Sequence, residues 1–156
     1  MSLSRTSRFV LPLALVATLV SGVAFAQQAT PAEKLLKYRK AIYQAIAYNM
    51  GPMGAMAQDK LPYNATDFAT RAGRVADVAA MLAEAYAPET QSVTGSKMKA
   101  DAWNNRADFD AKLKDFVDRS ATLAQVSKGG DAAKTKAAFF DMANTCKACH
   151  DKYKED

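Results

Sequence analysis

Cys146-Lys147-Ala148-Cys149-His150 brings together the chain's two cysteines and its single histidine. Two thiols three residues apart, followed at once by an imidazole, form the attachment signature of a c-type haem. The thiols can add to the haem vinyl groups, and the adjoining imidazole can reach the iron as an axial ligand. With no second histidine in 156 residues, two histidines cannot ligate one iron.

Other readings of the run are weaker. A disulfide between Cys146 and Cys149 would close a very small loop and constrain little. A structural zinc site takes four protein ligands, and this cluster supplies three of the usual type. A thioredoxin-like pair expects a strand before it and a βαβ context, and the sequence shows neither.

The elements that must position this run read as helices. Thr30-Pro31-Ala32-Glu33 places a capping threonine, a proline at the first helical position and a glutamate at the third. Leu35, Ile42, Ile46, Met50 and Met53 follow at helical spacing. Pro52 is expected to kink or end that helix, and Leu61-Pro62 to turn the chain. A second helix starts at Asn64, with Asp67 three residues on, and carries Phe68, Ala72, Val75, Ala79, Leu82 and Tyr86 as far as Pro88.

The polar stretch from Pro88 to about Asn104 is long for a connection in a compact bundle, which suggests that it covers something. A third helix starts near Asn105, with Asp108 three residues later, and buries Phe109, Leu113, Phe116, Ser120 and Leu123; Gly129-Gly130 end it. Asp131 then caps a fourth helix whose Thr135, Phe139, Met142, Cys146, Cys149 and Tyr153 share one stripe. The cysteines thus face the core, with His150 beside them. The expectation is an all-α, up-down-up-down antiparallel four-helix bundle with haem in its core.

At the other end of the sequence Arg5 and Arg8 precede an apolar stretch from Phe9 to Val23 and then Ala24-Phe25-Ala26. That is the pattern of a secretory signal with an A-x-A cleavage site. Pro12, Ser21 and Gly22 interrupt the stretch, which falls short of the ~20 apolar residues of a spanning helix. The signal is assigned to residues 1–26, and residues 27–156 form one domain with no membrane span after cleavage. The mature part carries 19 basic against 16 acidic residues, interspersed rather than in runs. Nothing there resembles a nucleic-acid patch. Export of a chain whose cysteines all sit in a haem motif suits the bacterial periplasm.

With CxxCH on the fourth helix, in the form Cys-Lys-Ala-Cys-His-Asp-Lys-Tyr-Lys, Lys37-Tyr38-Arg39-Lys40 on the first, Leu61-Pro62-Tyr63 between the first two and Trp103 before the third, the mature chain resembles the cytochrome c prime family. The resemblance implies one covalent haem c per chain, thioether-linked at Cys146 and Cys149. His150 would be the axial ligand and the other face of a high-spin iron would be open. Such haems bind nitric oxide and often carbon monoxide. Arg39 matches the family arginine that pairs with a propionate, with Lys40 beside it and Ser96 in the loop that approaches the same groups. Tyr43, one turn after Arg39, matches the bulky residue over the open iron face. Lys154 matches a basic residue near the proximal face.

Plainer readings stand beside these. Tyr43 can be an ordinary core or interface tyrosine, Lys152 and Lys154 can simply oppose the helix dipole, and Trp103 reads as packing. A low-spin subgroup of the same bundle takes a methionine of the first helix as sixth ligand and carries electrons, so Met50 and Met53 are the alternative. They lie roughly 10 and 15 Å past Tyr43 along the axis. Peroxidase chemistry would call for a distal histidine or arginine, so no enzymatic activity is expected. The partners implied are diatomic gases, small redox proteins and a second copy of the chain in a homodimer.

Overall fold

The computed structural model describes residues 28–155, so the assigned signal, residues 1–26, lies outside the described residues. Helix α1 (Pro31–Ala57) opens on the expected capping box. The Glu33 N–H donates to Thr30 Oγ1 at 3.2 Å, and the Thr30 N–H donates to the Glu33 carboxylate at 2.7 Å. Two otherwise unpaired amides are thereby satisfied. Of the two outcomes expected at Pro52, an early end does not occur: α1 runs through it to Ala57. Beyond the proline, Met53, Met56 and Ala57 are buried. Two buried methionines contribute about 1.5–3 kcal/mol each, enough to offset the roughly 3 kcal/mol that an interior proline costs.

Helix α2 (Ala65–Ala79) starts at Asn64, whose side chain accepts from the Asp67 N–H at 3.0 Å. Phe68, Ala72, Val75 and Ala79 are fully buried along it. It stops short of the predicted end at Tyr86. From Met81 onward the amides bond to carbonyls three residues back, and Ala83–Tyr86 form a 3₁₀ turn, followed by another at Pro88–Thr90. A 3₁₀ turn takes three residues rather than 3.6, so Tyr86 is carried off the α2 stripe and reaches α1 instead.

Helix α3 (Asp101–Asn104) is a single turn that buries Ala102. Helix α4 (Arg106–Ser127) buries Phe109, Leu113, Phe116, Ser120 and Leu123 as its periodicity predicts. Asn105 makes no side-chain cap bond, and Asp108 is occupied elsewhere, accepting from Lys152 Nζ at 2.9 Å and from the Tyr153 hydroxyl. Helix α5 (Ala132–Tyr153) is capped by Asp131, which accepts from the Lys134 N–H at 3.0 Å. The chain swings into α5 through Gly130 at φ 73°, a conformation that glycine adopts without strain.

The four long helices form an antiparallel bundle in which α1 packs on α2, α2 on α4, α4 on α5, and α5 returns to α1. Two aromatic groups fill its core. Phe68 lies between Tyr63 and Phe139, at 5.6 and 6.0 Å between ring centroids, and Phe109 between Tyr86 and Tyr153, at 4.8 and 5.4 Å. Among the described residues there is no strand, only an isolated antiparallel pair of Met98 with Lys154. That pair belongs to a strap. The Lys99 N–H donates to the Tyr153 carbonyl and the Glu155 N–H to the Lys97 carbonyl, both at 2.9 Å. The long polar connection therefore does cover something, the closing end of α5. Among the described residues no helix is long and apolar enough to cross a membrane.

Candidate functional site

Cys146 and Cys149 lie one turn apart on the face of α5 that packs against the core, half-buried and unbonded to each other. Burial pushes both thiols up, so they are held neutral. His150, one position further round the helix, is exposed, and its carbonyl accepts from the Lys154 N–H at 3.0 Å. Partial desolvation of the ring and the nearby Lys154 charge lower the imidazole, with Asp151 opposing them. Lys154 itself is exposed at the C-terminal cap of α5, where a cation also suits the helix dipole.

Across from this face, α1 presents Arg39 and Tyr43. The Tyr43 hydroxyl shares a 2.8 Å hydrogen bond with that of Tyr86. Burial and then the neighbouring Tyr86 raise the Tyr43 phenol, and the thiols of Cys149 and Cys146 are close enough to raise it further. Both tyrosines therefore stay protonated, Tyr86 chiefly because it too is buried.

Arg39 is only 4% exposed. Its donors go to neutral acceptors alone: the Ala85 carbonyl at 3.4 Å, Thr90 Oγ1 at 3.2 Å and Ser96 Oγ at 3.1 Å, with the guanidinium 4.7 Å from the centre of the Tyr86 ring. Among the described residues no carboxylate pairs with it, and burial lowers its pKa despite help from the two tyrosines. Lys40 reaches the same corner, its Nζ 3.5 Å from where a side-chain carbon on Gly95 would stand. The three groups assigned to one carboxylate-binding corner, Arg39, Lys40 and Ser96, thus meet around a single loop although 57 residues separate the first from the last.

The methionines lie elsewhere. Met53 is fully buried in the core. Met50 borders a surface groove with Gly54, Phe139, Phe140 and Ala143. Trp103 packs against the core, and its buried indole N–H has no acceptor among the described residues. Tyr86 and Thr90 join the site without having been singled out as site residues. A signal for Tyr86 was present: a hydroxyl-bearing residue on an apolar stripe needs a partner when buried, and Pro88 two residues later disfavours a continuing helix.

This donor set suits a haem. Two neutral thiols on an apolar face match two vinyl groups, an adjacent imidazole matches the iron, and a buried guanidinium lacking a carboxylate matches an acidic side arm, because an unpaired buried ion is costly. A cytochrome c' family model matches residues 34–154. The cytochrome c' of Rubrivivax gelatinosus is 33% identical over 120 residues, covering 77% of this chain and 93% of that protein. That of Halomonas halodenitrificans is 32% identical over 129 residues, covering 80% and 98%.

Among solved structures, cytochrome c prime from Shewanella frigidimarina superposes with a TM-score of 0.78 at 36% identity, covering 83% of this chain and all of that one. A variant of cytochrome c prime from Alcaligenes xylosoxidans with bound nitric oxide gives 0.74 at 29% identity, covering 83% and 99%. A cytochrome c' described by an unusual ligand-controlled dimer dissociation gives 0.75 at 29% identity, covering 83% and 100%.

Proposed function

Because the chain belongs to the cytochrome c' family, whose members bind haem c, we propose that it is an exported, periplasmic haem protein that binds and sequesters nitric oxide, and also takes carbon monoxide. Cys146 and Cys149 attach one haem through thioether bonds, and His150 ligates the iron from one side. Arg39, Lys40 and Ser96 hold the propionates, and Lys154 stands on the proximal side. When bound there, the haem supplies a high-spin iron with one coordination position open to a diatomic gas. Tyr43 stands over that position and sets which ligands enter. The nitric oxide held by a relative supports the gas-binding reading, and the dimer behaviour of another supports a homodimer.

The observation that carries the reading is the Tyr43–Tyr86 pair, the first half-buried and the second buried, opposite the two thiols. A ring fixed there excludes larger ligands and leaves small ones to displace it, at a steric cost of roughly 1 to 3 kcal/mol. Absorption and electron paramagnetic resonance spectra of the holoprotein test this. High-spin iron that takes up nitric oxide is expected. A methionine-to-iron charge-transfer band with no uptake of nitric oxide would replace the reading with electron transfer through Met50 or Met53.

A further inference from the structure

We propose that Tyr86 is the positioning residue that locks Tyr43 in its blocking pose, so that ligand entry is set by the pair rather than by Tyr43 alone. The inference rests on the reading of Tyr43 as the residue over the open side of the iron. Its basis is an asymmetry in how the two rings are held.

Tyr86 is 3% exposed and immobilised on several sides. Its ring meets Phe109 edge-on at 4.8 Å, Arg39 lies over it at 4.7 Å, and its carbonyl accepts from Arg106 Nη1 at 2.6 Å. Arg39 is in turn fastened to Ala85, Thr90 and Ser96. Tyr43 packs against the core but, among the described residues, has no ring pair and no cation over it. Its one hydrogen bond among the described residues is the 2.8 Å contact with the Tyr86 hydroxyl. When Tyr43 swings aside, Tyr86 cannot follow, and a buried phenol hydroxyl loses its partner. Since burial keeps both phenols protonated, the bond persists across the physiological range. The energy of one neutral hydrogen bond thereby adds to the barrier against entry. Its removal should raise the association rate about five-fold.

The test is carbon monoxide association after flash photolysis of the reduced holoprotein. Tyr86→Phe keeps the ring against Phe109 and Arg39 and removes only the hydroxyl. It should bind carbon monoxide about five-fold faster, with its dissociation rate little changed. Tyr43→Phe should match it, and the double variant should be no faster than either single one, because all three lack the same bond. A purely structural role for Tyr86 would not produce that non-additivity. An unchanged rate in Tyr86→Phe, while Tyr43→Ala is faster than the parent, overturns the lock and leaves the reading of Tyr43 standing. Additive gains in the double variant also overturn the lock. If neither Tyr86→Phe nor Tyr43→Ala is faster, the placement of Tyr43 over the iron falls with it.

Discussion

Arg39 has the least ordinary surroundings of any charged residue in the structure, since its guanidinium is buried among neutral acceptors. If a propionate completes it, Arg39→Met in the holoprotein breaks a buried pair and should lower unfolding stability by about 3 kcal/mol, read by denaturant titration; an unchanged midpoint would separate Arg39 from the haem. The thiols make a cleaner prediction. Cys146→Ala or Cys149→Ala alone should keep haem on the denatured chain through the remaining thioether, whereas the double variant should release it, as mass spectrometry of the unfolded protein would record. For Tyr43→Ala, relief of a steric penalty of about 1 to 3 kcal/mol corresponds to carbon monoxide association roughly 5- to 140-fold faster.

Each helix start is a local matter, and this is where pH acts. The Lys134 amide at the head of α5 holds the Asp131 carboxyl below its usual range, with the Lys134 charge assisting. A carboxyl depressed by folding stabilises the fold above its unfolded pKa of about 3.9 and loses that contribution as pH falls through the folded value. Asp131→Asn keeps the capping oxygen but does not titrate there. Its melting temperature should therefore match the parent at neutral pH and fall less steeply below about pH 4, while Glu33 and Asp108, also depressed, continue to titrate in both.

Three of the four long helices begin with a side-chain cap that can be read directly from sequence: Thr30, Asn64 and Asp131. The fourth start, at Asn105, reads as a cap and is not one: its backbone also closes the preceding turn by donating to the Asp101 carbonyl, and the Asp108 carboxylate goes to Tyr153 and Lys152 on another helix. The run through Pro52 and the early stop of α2 escape sequence for the same reason. Both are decided by what is buried on neighbouring helices, and periodicity along one segment carries no record of that. The cysteine stripe on α5 was legible because one helix contains all of it; for Tyr86 the need of a partner was legible but the partner was not, because it is Tyr43, 43 residues away.

Across the whole molecule the two aromatic groups divide the labour. Phe68, fully buried between Tyr63 and Phe139, belongs to the group away from the thiols. Phe68→Ala should cost about 3–5 kcal/mol of stability and leave carbon monoxide association unaltered, which calorimetry and flash photolysis together would check. Near the thiols, the contacts form one continuous run. His150 is bonded by the Lys154 amide, Lys154 pairs with Met98, and Met98 donates to Ser96 at 3.3 Å. Ser96 accepts from Arg39, Arg39 covers Tyr86, and Tyr86 holds Tyr43. The two sides are thus joined by one continuous run of contacts, and Ser96 is the point where the strap beside α5 meets the guanidinium of α1. Without that one hydroxyl the strap at Met98 is parted from Arg39, while Thr90 and the Ala85 carbonyl still hold the guanidinium.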